Sequence, residues 1–285
     1  MSKSKKIIRN MFRFFLYLFA VIGLLFTGVF VAMRFHLTDV KGSIDNRNSF
    51  FDQSKNIENK NFLVTKDLPA WMNTTEWETL KNGIIKDQEI ILRVSKETNL
   101  PARLIVSSVI PEQLRFFTSN REAFKKYFEP LKVLGTYTQF SYGISGIKMD
   151  TAKKIENNLK DSNSQFYLGK SYENILDYQN LEDVDSERLA RFTDSHDHYY
   201  SYLYTALYIK EIEMQWERNG FTIRNRPEVY ATLFNIGFDR SIPKENPDVG
   251  GSIITIDGKE YTFGGLAYDF YYSNELSNIF PIIVK

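Results

Sequence analysis

The chain has 285 residues, with 36 basic against 35 acidic side chains and no cysteine. Lys3, Lys5, Lys6, Arg9, Arg13 and Arg34 all precede the first acidic residue, Asp39, which leaves 30 basic against 35 acidic side chains, a net charge of −5. That excludes the basic stripe with which a nucleic-acid binder neutralises phosphates, and it leaves core packing, without disulfides, to hold the fold together.

Phe14 to Met33 is a run of 20 uncharged residues, long enough to cross a hydrocarbon core of about 30 Å. A cleavable signal has a shorter apolar stretch followed by small residues at a cleavage site. Here the run continues as Val29-Phe-Val-Ala-Met-Arg-Phe35 without an Ala-x-Ala pattern. Residues 14–34 therefore read as an uncleaved transmembrane anchor, and residues 1–13 as a basic tail held in the cytoplasm by the positive-inside rule. Everything after Arg34 then lies on the other side.

Residues 35–69 read as a juxtamembrane arm, since Asp39 to Asn61 is rich in Asn, Ser, Asp and Lys. Residues 70–285 read as one folded domain, a length that can bury a sizeable core. Helical signals begin near Thr75, with Trp77, Leu80, Ile84, Ile91 and Val94 at helical spacing. A second helix opens at Pro101 and runs to about Phe117. Thr151–Leu159, Asp185–Phe192, Asp197–Arg218 and Pro227 to Gly237 read as further helices, the last two closing on glycine. Ser252–Thr255, Asp257-Gly258 and Tyr261–Phe263 read as a β-hairpin with Asp-Gly in the turn. The fold class is mainly α with one small hairpin.

Three segments carry chemistry. In the helix after Pro101, Ile105, Val109, Glu112 and Phe116 fall within about 60° of arc, so Glu112 stands in an apolar stripe. A carboxyl in an apolar wall has its charged form disfavoured, which is what a general acid near neutral pH requires. The competing reading is a helix-end glutamate paired with Arg115. Gln139 to Ala152 is a small-residue loop leading into a helix, where Ser141, Gly143, Ser145 and Gly146 let backbone approach a ligand closely. Tyr230 to Gly237 is a helix end with one amide, Asn235, beside a glycine.

In order and approximate spacing these segments resemble the bacterial lytic transglycosylases, which have a lysozyme-like fold; the resemblance covers roughly residues 80–240. The family places its catalytic Glu in an apolar-x-x-Glu-Ser pattern, matched by Val109-Ile-Pro-Glu-Gln113 with Gln113 for the serine. Its Ser-x-Gly-x-x-Gln loop before Thr-Ala is matched by Ser141-Tyr-Gly-Ile-Ser-Gly146, with Gly146 for the glutamine and Thr151-Ala152 in frame. Its Ala-x-Tyr-Asn-x-Gly motif is matched by Thr232-Leu-Phe-Asn-Ile-Gly237, with Phe234 for the tyrosine.

The resemblance implies an enzyme that cuts the bond between N-acetylmuramic acid and N-acetylglucosamine in peptidoglycan strands, with Glu112 as the single acid and base. It assigns substrate binding to Ser141, Tyr142, Gly143, Gly146, Phe234 and Asn235, with Tyr142 and Phe234 as aromatic walls. Neither a cofactor nor a metal is called for. The implied location is the bacterial inner (cytoplasmic) membrane, single-pass, with the domain on the periplasmic or outer side. A hydrolytic, lysozyme-type variant stays open. So does a catalytically inactive lysozyme-like module that binds glycan or scaffolds a cell-envelope complex, which the replacements at 113, 146 and 234 favour. Asp194-Ser-His-Asp-His198 reads as the solvated start of a helix rather than a metal site, because His at i and i+2 point to different faces. Tyr199 to Tyr204 reads as helix core rather than a sugar-stacking platform.

Overall fold

A computed structural model describes residues 3–35, 43–44, 68–118, 141–179 and 181–283. The chain divides into two compact units, one of residues 1–39 with 123–140 and the other of residues 40–122 with 141–285. The described part of the first unit is helix α1, Lys3–Arg34. Within it Arg9–Ala32 is long and apolar enough to cross a membrane, and it is the one such helix among the described residues.

The second unit is mainly helical. In chain order it contains β1 (Ser43–Ile44), α2 (Thr75–Lys86), α3 (Gln88–Thr98), α4 (Ala102–Thr118), β2 (Ser141–Tyr142), β3 (Ile147–Lys148) and α5 (Met149–Lys160). There follow α6 (Val184–Thr193), α7 (Tyr199–Arg218), α8 (Pro227–Ile236), β4 (Gly250–Gly251), β5 (Ile253–Ile256), β6 (Lys259–Thr262) and α9 (Phe263–Tyr271). Local chemistry sets these limits. Thr74 caps α2 by accepting from the Trp77 amide at 3.3 Å, Asp183 caps α6 through the Ser186 amide, and Thr262 caps α9 through Gly265. Asn99 ends α3 in the left-handed region.

The run of apolar residues from Thr75 is divided into two helices at Asp87, and the reason is a tertiary contact. His198 Nδ1 lies 2.7 Å from Asp87 Oδ2, and the Tyr202 hydroxyl donates to the same oxygen at 3.1 Å. His198 is thus half-buried and partnered, while Asp194 to Asp197 are exposed as the solvated reading of that segment expects. The hydrogen bond to Asp87 raises the His198 pKa above its ordinary 6.5, against desolvation and Lys86, with Asp194 adding to the rise. A folded value above the unfolded one stabilises fully below about pH 6.5 and is lost as pH rises through the folded value. The thermal midpoint should therefore fall across that window, and Asp87→Asn should flatten the dependence in melts run from pH 5 to 9.

Helix α4 is the axis of the domain. Leu104 to Ile110 are buried on every face, and the helix packs against α2, α3, α7, α8, α9 and β5. It passes through Pro111 without ending. In α7, Tyr202, Tyr204 and Tyr208 are buried, so that aromatic run is core as expected. Tyr199 and Tyr200 are half-buried under the Arg93 and Arg191 guanidinium groups, 4.1 and 4.3 Å from their ring centres. Glu211 is fully buried in the same helix and takes one bond, from Asn158 at 2.9 Å; burial pushes its pKa well above the usual carboxylate range.

The expected hairpin is β5–β6, paired Ile253↔Thr262 to Ile256↔Lys259. Asp257 and Gly258 both take positive φ in its turn, as a primed two-residue turn requires. Two smaller pairs accompany it, β2–β3 in the glycine loop and β1–β4. Phe263 opens helix α9 instead of extending the hairpin. Gly264 allows this: a Cβ there would come 2.6 Å from the Glu228 carbonyl oxygen, so α8 and α9 approach closely only because position 264 has no side chain.

Candidate functional site

Glu112 sits at 4 % exposure in the last third of α4, within the predicted apolar stripe. Its carboxylate is engaged by the Arg115 guanidinium one turn on, in an ion pair whose two side chains are both largely buried. Arg115 also reaches the Ser252 hydroxyl at 3.3 Å. Ser252 in turn donates both its backbone N–H, at 2.8 Å, and its hydroxyl, at 3.0 Å, to Asn235 Oδ1. A continuous polar chain thus runs Glu112–Arg115–Ser252–Asn235 and joins two of the three motif segments.

The third segment closes on the same carboxylate. Gly146 has φ +62°, and a Cβ there would overlap Glu112 Oε1 and Cδ and lie 2.7 Å from Cγ. The missing side chain at Gly146 is the space into which the Glu112 carboxylate turns. Gln113, next to Glu112, donates to the Ile144 carbonyl and fastens the loop to α4. At the loop's other end Gly143, φ +68°, lies against Phe192 and the Ser201 hydroxyl, and Ser145 Oγ donates to the Ser201 carbonyl at 3.3 Å. The loop is therefore clamped between α4 and the start of α7.

Of the remaining predicted residues, Asn235 is half-buried at the end of α8, with Gly251 pressed on it. Phe234 is 7 % exposed and packs between Tyr208 and Phe263, ring centres 5.1 and 6.4 Å away. Ser141 and Tyr142 form strand β2, with Tyr142 paired to Ile147; their side chains lie outside the described residues, as does the segment 119–140 between α4 and the loop. Sequence reasoning puts Gly250-Gly251 beside the hairpin, as flank of a cleft or cap of the domain, and Ser252 in its first strand, without giving either a role; only the fold brings Gly251 and Ser252 to Asn235.

No group of three or more His, Cys, Asp or Glu side chains that could hold a metal ion occurs among the described residues. No protein-family model, curated protein or solved structure matches the chain. What the arrangement can do chemically rests on its own geometry. The Glu112 carboxylate is held beside Gly146 by Arg115, and the Asn235 amide nitrogen on the same network can orient a polar ligand group.

Proposed function

We propose that the chain is a membrane-attached, peptidoglycan-cleaving enzyme with a lysozyme-like domain, acting as a lytic transglycosylase through Glu112. The observation that carries this reading is that Gly146 lies against the Glu112 carboxylate while Arg115 and Ser252 link that carboxylate to Asn235, so segments far apart in sequence join in one network. Protonated Glu112 donates to the glycosidic oxygen between N-acetylmuramic acid and N-acetylglucosamine as the C1–O bond breaks. The resulting carboxylate takes the proton of the same sugar's 6-hydroxyl, and O6 closes on C1 to give a 1,6-anhydro ring, so water is not consumed. One carboxyl serves both steps, unlike the carboxylate pair of most glycosidases. Asn235 orients the sugar. The apolar helix Arg9–Ala32, with its basic N-terminal flank, holds the domain at the outer face of the cytoplasmic membrane.

A second reading is favoured by one observation, the Arg115–Glu112 ion pair. In it the lysozyme-like domain binds glycan or scaffolds an envelope complex without cutting. Incubating the chain with purified peptidoglycan and weighing the products by mass spectrometry separates the cases. Anhydro-ended fragments support the proposal, reducing ends turn it into a hydrolase, and no fragments from a folded, glycan-bound chain select the second reading.

Arg115→Gln sharpens the distinction. Arg115 occupies the Glu112 carboxylate that the proposed enzyme must present to the glycosidic oxygen, so digestion at neutral pH should be at least as fast without it. The same change should cost about 3 kcal/mol of stability at 25 °C, because a buried charge loses its partner. A loss of digestion as deep as that caused by removing Glu112 itself contradicts the proposed role.

A further inference from the structure

The wall behind Asn235 is built in part from chain that directly follows the apolar helix. Ser43 and Ile44, nine and ten residues after Arg34, pair antiparallel with Gly251 and Gly250. The Ser43 hydroxyl adds a bond of its own, donating to the Gly251 carbonyl at 2.8 Å. Gly251 is at φ +92°, and a Cβ on it would stand 2.8 Å from Asn235 Oδ1 and 3.0 Å from Phe263 Cβ, so its backbone lies directly on the amide. The next residue, Ser252, makes both bonds to Asn235 Oδ1. On the other side Gly250 N–H donates to Thr232 Oγ1 at 3.0 Å, one turn before Asn235 on α8.

β4 is only two residues long, and β1 is its one partner among the described residues. Two consecutive glycines carry the largest backbone freedom of any dipeptide, so what fixes them is what they bond to. Thr232 fixes the amide of Gly250, and β1 fixes the opposite edge.

We infer that the strand Ser43–Ile44 is a strap that positions Asn235, so that the chain leading from the apolar helix forms part of the ligand-orienting wall. This rests on the reading of Asn235 as the residue that orients the sugar. It makes Ser43 a positioning residue that touches no substrate, and it means that a domain cut free at residue 70 lacks part of its own site.

The test uses the full chain in lipid nanodiscs, as the native protein, Ser43→Pro, Ser43→Ala and Ser43→Thr. Two readouts are taken, hydrogen exchange at residues 250–252 and KM and kcat for purified peptidoglycan. The Ser252 amide is the direct reporter, since its hydrogen is bonded to Asn235. Ser43→Pro should speed its exchange at least tenfold and raise KM at least threefold with kcat within twofold. Ser43→Ala should move both in the same direction by less, and Ser43→Thr, which keeps the hydroxyl, should match the native chain. Unchanged Ser252 exchange in Ser43→Pro overturns the strap, and faster exchange with unchanged KM overturns the positioning role. A native chain that digests nothing fails the proposed function and not this inference. Retention of glycan strands then replaces KM: weaker retention by Ser43→Pro supports the strap and equal retention overturns it.

Discussion

Arg103→Met is expected to destabilise the domain by about 4 kcal/mol. Arg103 is fully buried near the start of α4. Its guanidinium donates to five backbone carbonyls of the C-terminal segment, those of Phe270, Tyr271, Ser273, Glu275 and Phe280, at 2.7 to 2.9 Å. It also stacks over Phe270, 4.5 Å from the ring centre. Burial pulls its pKa down to about 10, so it stays charged at neutral pH. Methionine fills similar volume but takes the guanidinium donor from all five carbonyls, of which, among the described residues, Phe270 alone keeps other donors, the Ser273 N–H and hydroxyl, and a buried polar group left unmade costs about 1–3 kcal/mol. Those terms overlap, since the freed segment will find some water, and a total of about 4 kcal/mol lies in the range that marks a broken buried network. For a domain of this size that is a fall in thermal midpoint of roughly 8–16 °C. Arg103→Lys should recover less than half of it, because one ammonium cannot serve a fork of five acceptors. A midpoint within 3 °C of native for Arg103→Met would remove the guanidinium from its place in the fold.

Gly146→Ala should separate function from stability. The added Cβ meets Glu112 Oε1, Cδ and Cγ, so the whole side chain must turn and its ion pair with Arg115 shifts with it. The stability cost is then that of a non-glycine residue at φ +62°, about 1–2 kcal/mol, plus whatever part of the ion pair is lost. The functional cost is larger, because the group that must move is the proposed acid and base, and displacing a reacting group by about 1 Å can cost a hundredfold. The expected outcome is a domain that still melts cooperatively and digests peptidoglycan at least a hundredfold more slowly. Activity within threefold of native would show that the Glu112 position seen against Gly146 is not the working one.

These two residues mark where sequence was informative and where it was silent. Glu112 was placed by periodicity alone, because Ile105, Val109 and Phe116 share its face of the helix, and its partner Arg115 was within one turn. Gly146 is singled out in the sequence as a loop residue that lets backbone approach closely, but its contact with Glu112 shows only in the fold. The Asp257-Gly258 turn was legible because only a few residue types accept positive φ there. Arg103 was not legible at all. Its five acceptors are backbone carbonyls, which every residue carries, so no side chain in residues 270–280 announces them. The His198–Asp87 pair joins positions 111 residues apart, and its result, a helix divided at Asp87, overrides a continuous apolar period. Helix α9 was hidden by Gly264-Gly265, two glycines that read as hairpin flank and instead permit close packing on α8. The contacts of Ser252 and of the β1 strap are visible only once the chain is folded, since no local pattern announces them.

The central claim is that Glu112 is the acid and base of a glycan-cleaving site. The most direct measurement is the rate at which the full chain releases soluble fragments from purified peptidoglycan, set against Glu112→Gln. Glutamine keeps the shape of the side chain and can still accept from Arg115, yet cannot exchange a proton. The expected result is a variant that still melts cooperatively, at a lower midpoint because the buried Arg115 charge loses its ionic partner, binds the polymer as the native chain does, and releases fragments at least a thousandfold more slowly. Release by Glu112→Gln within tenfold of the native rate would contradict it.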